Sequence, residues 1–142
     1  MTVRGVLLTM ALSLPLGLHA ASTCPLTLPP ALLRVDQVPS GWRPVLLQDG
    51  PRLSSAGIVQ GPYGGGGYLK PAKTSIVKVK GGGETTVATW DFGTPPYNEL
   101  WLYCEYADVL ELYRPVDAET SRCTITSTRE GNKITAMKLK CD

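Results

Sequence analysis

The stretch that decides the fold is Leu100-Trp101-Leu102-Tyr103-Cys104-Glu105-Tyr106. Successive side chains of a β-strand point to opposite faces. If this stretch is a strand, one of its faces carries Leu100, Leu102, Cys104 and Tyr106. Trp101, Tyr103 and Glu105 share the other face. If Cys104 is bonded toward the interior, Trp101 and Tyr103 point the opposite way. They are then either an exposed aromatic pair on a solvated face or part of a second core face.

Short segments of similar character lie on both sides of this strand. No long stretch keeps a helical period, and turn residues separate the segments. We therefore predict an all-β fold, an antiparallel meander of about six to eight short strands that forms a small barrel or a sandwich. The predicted strands are residues 42–48 (an edge strand, because Pro44 interrupts it), 53–60, 75–80, 85–92, 99–106, 109–114, 120–128 and 133–141.

The cysteines predict that this domain is pinned by disulfides. The chain has four of them, Cys24, Cys104, Cys123 and Cys141. An even number in an exported chain predicts two disulfides, whereas a zinc site would require closely spaced pairs that the sequence lacks. Three pairings are possible. We favour Cys104 with Cys123, which would join two nearby strands, and Cys24 with Cys141, which would tie the two ends of the domain together.

The N-terminus has the form of a secretory signal. Arg4 supplies the positive charge, residues 6–18 form a short apolar run, and Ala20 and Ala21 offer small residues for cleavage. The run is too short to span a bilayer. We predict a signal peptide over 1–20 and a single β domain over 21–142, located in the periplasm or secreted, with no integral membrane segment after cleavage.

The only histidine, His19, falls within this predicted signal. The working domain would therefore lack the commonest general base and metal ligand, which excludes Ser-His and Cys-His catalysis. Glu105, Asp108 and Glu111 could pair for acid–base work across a hairpin. We favour the alternative that they are solvent-facing acids on that hairpin. We predict no enzymatic activity, no metal and no cofactor. A net charge of only +2 in an exported chain also argues against nucleic acid as a partner.

A glycine-rich loop, Gly61-Pro62-Tyr63-Gly64-Gly65-Gly66-Gly67-Tyr68, is the other feature that could serve binding. It lacks the Gly-Lys-Ser/Thr ending of a phosphate-binding loop. It is either a flexible connection or a contact loop whose tyrosines touch a partner. The candidate binding residues are Tyr63, Gly65, Tyr68, Trp101 and Tyr103. The aromatic residues expected in the core are Trp42, Trp90 and Phe92.

Several sequence blocks resemble those of a known family. Ala88-Thr89-Trp90-Asp91-Phe92 is followed by the W-L-x-C-x-Y block at 101–106, then by Leu110-Glu111-Leu112-Tyr113-Arg114-Pro115 and Cys123-Thr124-Ile125-Thr126. This order resembles a family of small exported proteobacterial proteins of unknown function, typified by a locus from Salmonella Typhi. The resemblance implies an exported β domain and implies no catalytic residue.

These observations favour a non-catalytic periplasmic binding protein, specifically an inhibitor or immunity factor against a cell-wall-degrading enzyme. A rigid, disulfide-pinned domain loses little entropy on binding, and a loop can enter an enzyme's cleft. The expected partner is a peptidoglycan hydrolase or another toxin. The alternatives are a carbohydrate- or peptidoglycan-binding module and an accessory envelope protein. Coplanar exposed rings in a row would favour the sugar-binding alternative.

Overall fold

The structure, a computed structural model, describes residues 23–45, 49–94 and 99–142. The described part of the chain contains one 3₁₀ turn, Pro30–Leu32, and eight strands. The predicted signal peptide lies outside the described residues. The strands are β1 Leu53–Gln60, β2 Gly67–Tyr68, β3 Lys73–Val79, β4 Gly83–Asp91, β5 Leu100–Tyr106, β6 Leu110–Pro115, β7 Arg122–Glu130 and β8 Lys133–Cys141.

The strands form two four-stranded antiparallel sheets. Sheet I has the order β2-β1-β5-β6, and sheet II has the order β3-β4-β7-β8. The chain forms one hairpin in one sheet and then crosses to the other sheet for the next hairpin. The all-β prediction is confirmed, and of its two architectures the protein adopts the sandwich.

The core lies between the inner faces of the two sheets. The alternation predicted for β5 is confirmed, because its even-numbered residues are all buried while Trp101, Tyr103 and Glu105 are half-buried on the other face. Sheet II contributes Trp90 from β4 and further apolar residues from β7 and β8. The buried residues that form this core are Cys24, Leu28, Leu53, Ile58, Trp90, Leu100, Leu102, Cys104, Tyr106, Cys123, Ile125 and Leu139. Val59 is buried as well, but it stands opposite Trp101 on the other face of sheet I.

The segment before β1 is fixed to this core. Cys24 forms a disulfide with Cys104 of β5. The Tyr106 hydroxyl, fully buried, donates a hydrogen bond of 2.8 Å to the carbonyl oxygen of Pro25. The Leu28 amide donates to the Pro51 carbonyl at 3.0 Å. One end of the sandwich is therefore closed by chain that is not part of either sheet.

The predicted pairing of the cysteines is wrong. The structure joins Cys24 to Cys104 and Cys123 to Cys141. β7 and β8 form a hairpin whose register places Cys123 directly opposite Cys141, with the Cα atoms 4.1 Å apart. Cys104 belongs to sheet I, whereas Cys123 belongs to sheet II. A partner for Cys104 comes instead from the N-terminal segment.

The prediction for residues 42–48 is also wrong where it can be compared with the structure. Residues 42–45 lie outside any strand, and residues 46–48 lie outside the described residues. Trp42 was expected in the core but is 73% exposed. Pro44 removes a donor from this segment, and none of the described strands pairs with residues 42–45. Trp90 is buried as predicted, and Phe92 is partly buried against the core.

Candidate functional site

The outer face of sheet I carries a cluster of aromatic side chains around one carboxylate. β5 contributes two of these side chains, and the adjacent strand β6 contributes Tyr113 and Glu111. The loop before β2 adds Tyr63, and β2 itself adds Tyr68. Four of the five predicted binding residues come together here, and Gly65 lies in the loop beside them. We call this cluster the aromatic face; it consists of Tyr63, Tyr68, Trp101, Tyr103, Glu111 and Tyr113.

The rings of the aromatic face contact one another at an angle. The Tyr63 centroid lies 5.7 Å from that of Trp101 and 5.4 Å from that of Tyr113, with interplanar angles of 58° and 75°. Tyr68 meets Tyr103 edge to face at 5.0 Å and 79°. Such pairs contribute about 0.5–1.5 kcal/mol each beyond the area they bury. The rings therefore hold one another in fixed orientations.

The glycine-rich loop is fastened to the sheet. The Trp101 indole Nε1 donates a hydrogen bond of 3.1 Å to the Gly61 carbonyl, and the Gly61 amide donates to the Glu99 carbonyl at 2.9 Å. Tyr63 packs on Trp101 while remaining 70% exposed. Of the two interpretations of the loop, these contacts favour a positioned contact loop over a loose connection.

The predicted binding residue Gly65 is not the glycine that the loop requires. A Cβ added at Gly65 would meet only Pro62, at 3.9 Å. A Cβ at Gly66 would lie 2.6 Å from both the Gln60 carbonyl oxygen and Val59 Cγ1. Gly66 thus lets the returning loop approach β1 closely, whereas Gly65 forms the turn with a 3.0 Å hydrogen bond to the Pro62 carbonyl.

Glu111 organises the tyrosines. The Tyr68 hydroxyl donates to Glu111 Oε1 at 2.5 Å, and the Tyr113 hydroxyl donates a short hydrogen bond to Glu111 Oε2. These hydrogen bonds to a carboxylate favour the neutral phenols, so the pKa of each of the two tyrosines is raised above its ordinary value. Both carboxylate oxygens of Glu111 are therefore occupied by side chains of the same face.

Comparison with known proteins identifies the family of this chain. Residues 48–142 match the type VI secretion system Tli immunity protein family. The chain belongs to this family. The matched region contains all eight strands and the W-L-x-C-x-Y block. No curated protein and no solved structure matches the chain significantly.

Family membership confirms the predicted function class. The protein is an immunity protein, a non-catalytic inhibitor of a type VI secretion toxin. The family that this match shows is the Tli immunity protein family, whereas the resemblance to a Salmonella Typhi locus stays a prediction. The two disulfides and the family together fit an oxidising envelope compartment.

The three acidic residues considered for catalysis lie close together in this immunity protein. Glu105 stands opposite Glu111 in the β5–β6 register, as the hairpin predicted. Burial, followed by the charges of Asp108 and Glu111, raises the pKa of the Glu105 carboxyl.

The described residues contain no group of three or more His, Cys, Asp or Glu side chains that could hold a metal ion. None of the helices in the described ranges could cross a membrane.

Sequence reasoning missed Tyr113 as part of the aromatic face and Gly57 as the residue beneath it. The feature that could have indicated Tyr113 is the turn at Ala107-Asp108, where both residues have positive φ. This turn joins β5 and β6 in a hairpin whose register places Tyr113 opposite Tyr103. Gly57 stands opposite Tyr103 on the other side, in β1. A Cβ there would lie 2.8 Å from Tyr103 Cε1, so glycine makes room for the ring to lie against the strand.

The role of Glu111 can be tested by titrating the tyrosines. Glu111→Gln removes the charged acceptor, so we expect the pKa of Tyr68 and Tyr113 to fall toward the ordinary value. Because their pKa is raised in the folded state, the stabilisation is complete below the ordinary tyrosine pKa and is lost as the pH rises through the raised one. Near-ultraviolet absorbance of tyrosinate should therefore rise at lower pH in this variant than in the wild type.

The matched control for this titration is Glu130→Gln, which removes an exposed carboxylate from β7 of sheet II. We expect its tyrosine titration to overlay that of the wild type. A Glu111→Gln curve that also overlays the wild type would show that the carboxylate does not hold these phenols.

Proposed function

We propose that this immunity protein neutralises its effector by binding it through the aromatic face, with the glycine-rich loop entering the effector's cleft. The observation that carries this proposal is a set of aromatic rings fixed to a rigid sheet but still open to solvent. Tyr63 is 70% exposed and Tyr68 is 59% exposed. Tyrosine and tryptophan side chains supply much of the binding energy at protein interfaces.

The contacts within the aromatic face support this role because they reduce the conformational entropy that its side chains lose on binding. The Tyr68–Glu111 hydrogen bond, the Trp101–Gly61 hydrogen bond and the ring contacts order the side chains before any partner arrives. A surface that is ordered in advance loses less conformational freedom on association. An immunity protein has to engage its toxin before damage occurs, and a preformed surface suits tight association.

We further propose that the effector is a lipid-degrading enzyme rather than a peptidoglycan hydrolase. An enzyme that hydrolyses lipids has to expose apolar surface around its cleft to receive acyl chains, and aromatic rings complement such a rim. A peptidoglycan hydrolase instead presents a polar groove for sugars.

The geometry gives little support to the sugar-binding alternative. A platform for a carbohydrate needs coplanar rings in a row, whereas the ring pairs of the aromatic face are inclined at 58°, 75° and 79°. An irregular protein surface fits this arrangement better than the flat face of a sugar ring does.

We also propose the cellular location of the protein. We place the domain over 21–142 in the periplasm after removal of a signal peptide over 1–20, where an effector delivered by a neighbouring cell would meet it. The likeness to the small exported proteins typified by a Salmonella Typhi locus supports this location. A mass measurement on protein purified from the periplasm would give the cleavage site.

Co-expression with a periplasm-directed effector tests the aromatic face. Tyr63→Ala and Trp101→Ala are expected to weaken binding by roughly 100-fold each, as removal of a central aromatic residue does, and to abolish protection of the host. Trp42→Ala is the matched control, because Trp42 is an equally exposed aromatic residue outside the face. It should bind and protect as the wild type does.

Two outcomes would contradict the proposal. Full protection by both aromatic-face variants would exclude the face as the interface. Protection against a peptidoglycan hydrolase effector, with none against a lipase effector, would overturn the assignment of the effector class while leaving the interface open to the same mutational test.

A further inference from the structure

The strand β3, Lys73–Val79, is an edge of sheet II that no other described residue covers. All seven of its residues are exposed, including Ile76 at 61% and Val77 at 60%. It pairs with β4 in an unbroken register from Lys73 to Val79. In the described part of the chain, no other strand and no loop outside this hairpin makes a backbone hydrogen bond to β3. One side of its backbone is therefore free to pair.

The other edges of the sandwich differ from β3. In sheet I, β2 has only two residues and β6 ends at Pro115, which cannot donate to a ladder. In sheet II, the β7–β8 register shifts at Thr128/Arg129, so β8 carries a bulge. Short strands, prolines, bulges and charged side chains, especially lysines, are the usual means of protecting an edge from further pairing. Of these, the described residues of β3 carry only lysines, which protect against some partners and not against others.

Charge determines what can pair with this edge. Lys70, Lys73, Lys78 and Lys80 are all exposed along or beside β3, and none of them forms an ion pair among the described residues. Glu84, opposite Lys78 on β4, is the acidic residue paired with the strand. Joining two copies of this edge would bring both sets of lysines together, and like charges on neighbouring strands repel. The lysines thus disfavour a second copy and favour an acidic strand.

We propose that β3 is a second interface, at which an extended acidic segment of the effector adds to sheet II as a fifth strand. This inference rests on the proposed function, since it takes the effector as the partner. Main-chain hydrogen bonds would supply affinity in this mode of recognition, while Ile76 and Val77 on opposite faces would contact alternate side chains of the added strand. The lysines would select carboxylates flanking that segment.

Hydrogen exchange tests the main-chain pairing directly. The full-length wild-type protein is measured alone and with the purified effector whose toxicity it suppresses. We expect amide exchange within residues 73–79 to slow at least tenfold in the complex. A complex that forms without any change in these amides would overturn the inference while leaving the aromatic face as the interface.

Charge reversal provides the second measurement. Lys73→Glu combined with Lys80→Glu is expected to weaken effector binding at least tenfold at low salt, with the difference shrinking as salt is added. The control reverses Lys133 and Lys138 on β8 and should change binding less than twofold. Equal effects of the two pairs, or self-association of the wild type through β3, would overturn the inference.

The aromatic-face variant Trp101→Ala is titrated alongside these proteins. Loss of binding in Trp101→Ala with none in the β3 variant overturns this inference alone. Loss in the β3 variant with none in Trp101→Ala overturns the proposed use of the aromatic face. A wild-type protein that binds no effector overturns both.

Discussion

Replacing both Cys24 and Cys104 by alanine is expected to lower the free energy of unfolding by about 4–5 kcal/mol, according to the chain-entropy relation for a long closed loop. This disulfide joins residues 80 positions apart, so its removal greatly enlarges the unfolded ensemble. It also releases the segment whose Pro25 carbonyl accepts the hydrogen bond from the buried Tyr106 hydroxyl. Chemical denaturation of oxidised wild type and variant measures the difference.

The paired variant Cys123→Ala with Cys141→Ala serves as the comparison. Its disulfide spans only 18 positions within one hairpin, so we expect a smaller loss of about 3 kcal/mol. A larger loss from the hairpin disulfide than from the Cys24–Cys104 disulfide would contradict the argument. Mass mapping of non-reduced peptides from the wild type should recover both pairings before the comparison is made.

Trp90→Ala is expected to cost about 3–5 kcal/mol, the range for removing a large aromatic side chain from a core. Trp90 is 5% exposed and projects from β4 of sheet II. Its indole Nε1 donates a hydrogen bond of 2.8 Å to the Leu69 carbonyl, and the Leu69 amide donates to the Ile58 carbonyl of β1 at 2.9 Å. The side chain therefore joins the two sheets by both packing and hydrogen bonding.

Two further variants separate these contributions. Trp90→Phe keeps most of the apolar contact but loses the indole donor, so we expect a loss of about 1–3 kcal/mol from the unpaired Leu69 carbonyl and the smaller ring. Trp42→Ala, which removes an exposed indole, should change stability by less than about 0.5 kcal/mol. Equal melting of Trp90→Ala and Trp42→Ala would exclude Trp90 as the link between the sheets.

Seven of the eight strands were predictable from the sequence because their information is local; the exception is β2, which lies within the glycine-rich loop. Alternation in β5 determines which side chains are buried, and turn residues such as Ala107-Asp108 determine where a hairpin reverses. The disulfide pairing was not predictable in this way. It depends on which sheet each strand joins, and sheet membership is decided by contacts between distant parts of the chain, as between β1 and β5.

In the candidate site, too, local relations between residues were predictable from the sequence and contacts between distant segments were not. Trp101 and Tyr103 could be placed together on the outward face because they belong to one strand. Tyr63 and Tyr113 join them only through the fold of the loop and the register of β6. The prediction that Trp42 lies in the core was wrong. A large indole is usually buried, but residues 42–45 pair with none of the described strands and Trp42 is exposed.

Each sheet is built from two hairpins that are far apart in the sequence, and this arrangement determines when folding can be completed. The central pair of sheet I joins Ile58 to Leu102, and that of sheet II joins Ala88 to Ile125. Non-local pairs of this kind form slowly, because a long loop must close before they gain any contact. Neither sheet is complete until the later strand of its central pair has emerged. A cell is therefore protected only by chains that have finished synthesis and folding, and newly made chains add to its defence with a delay.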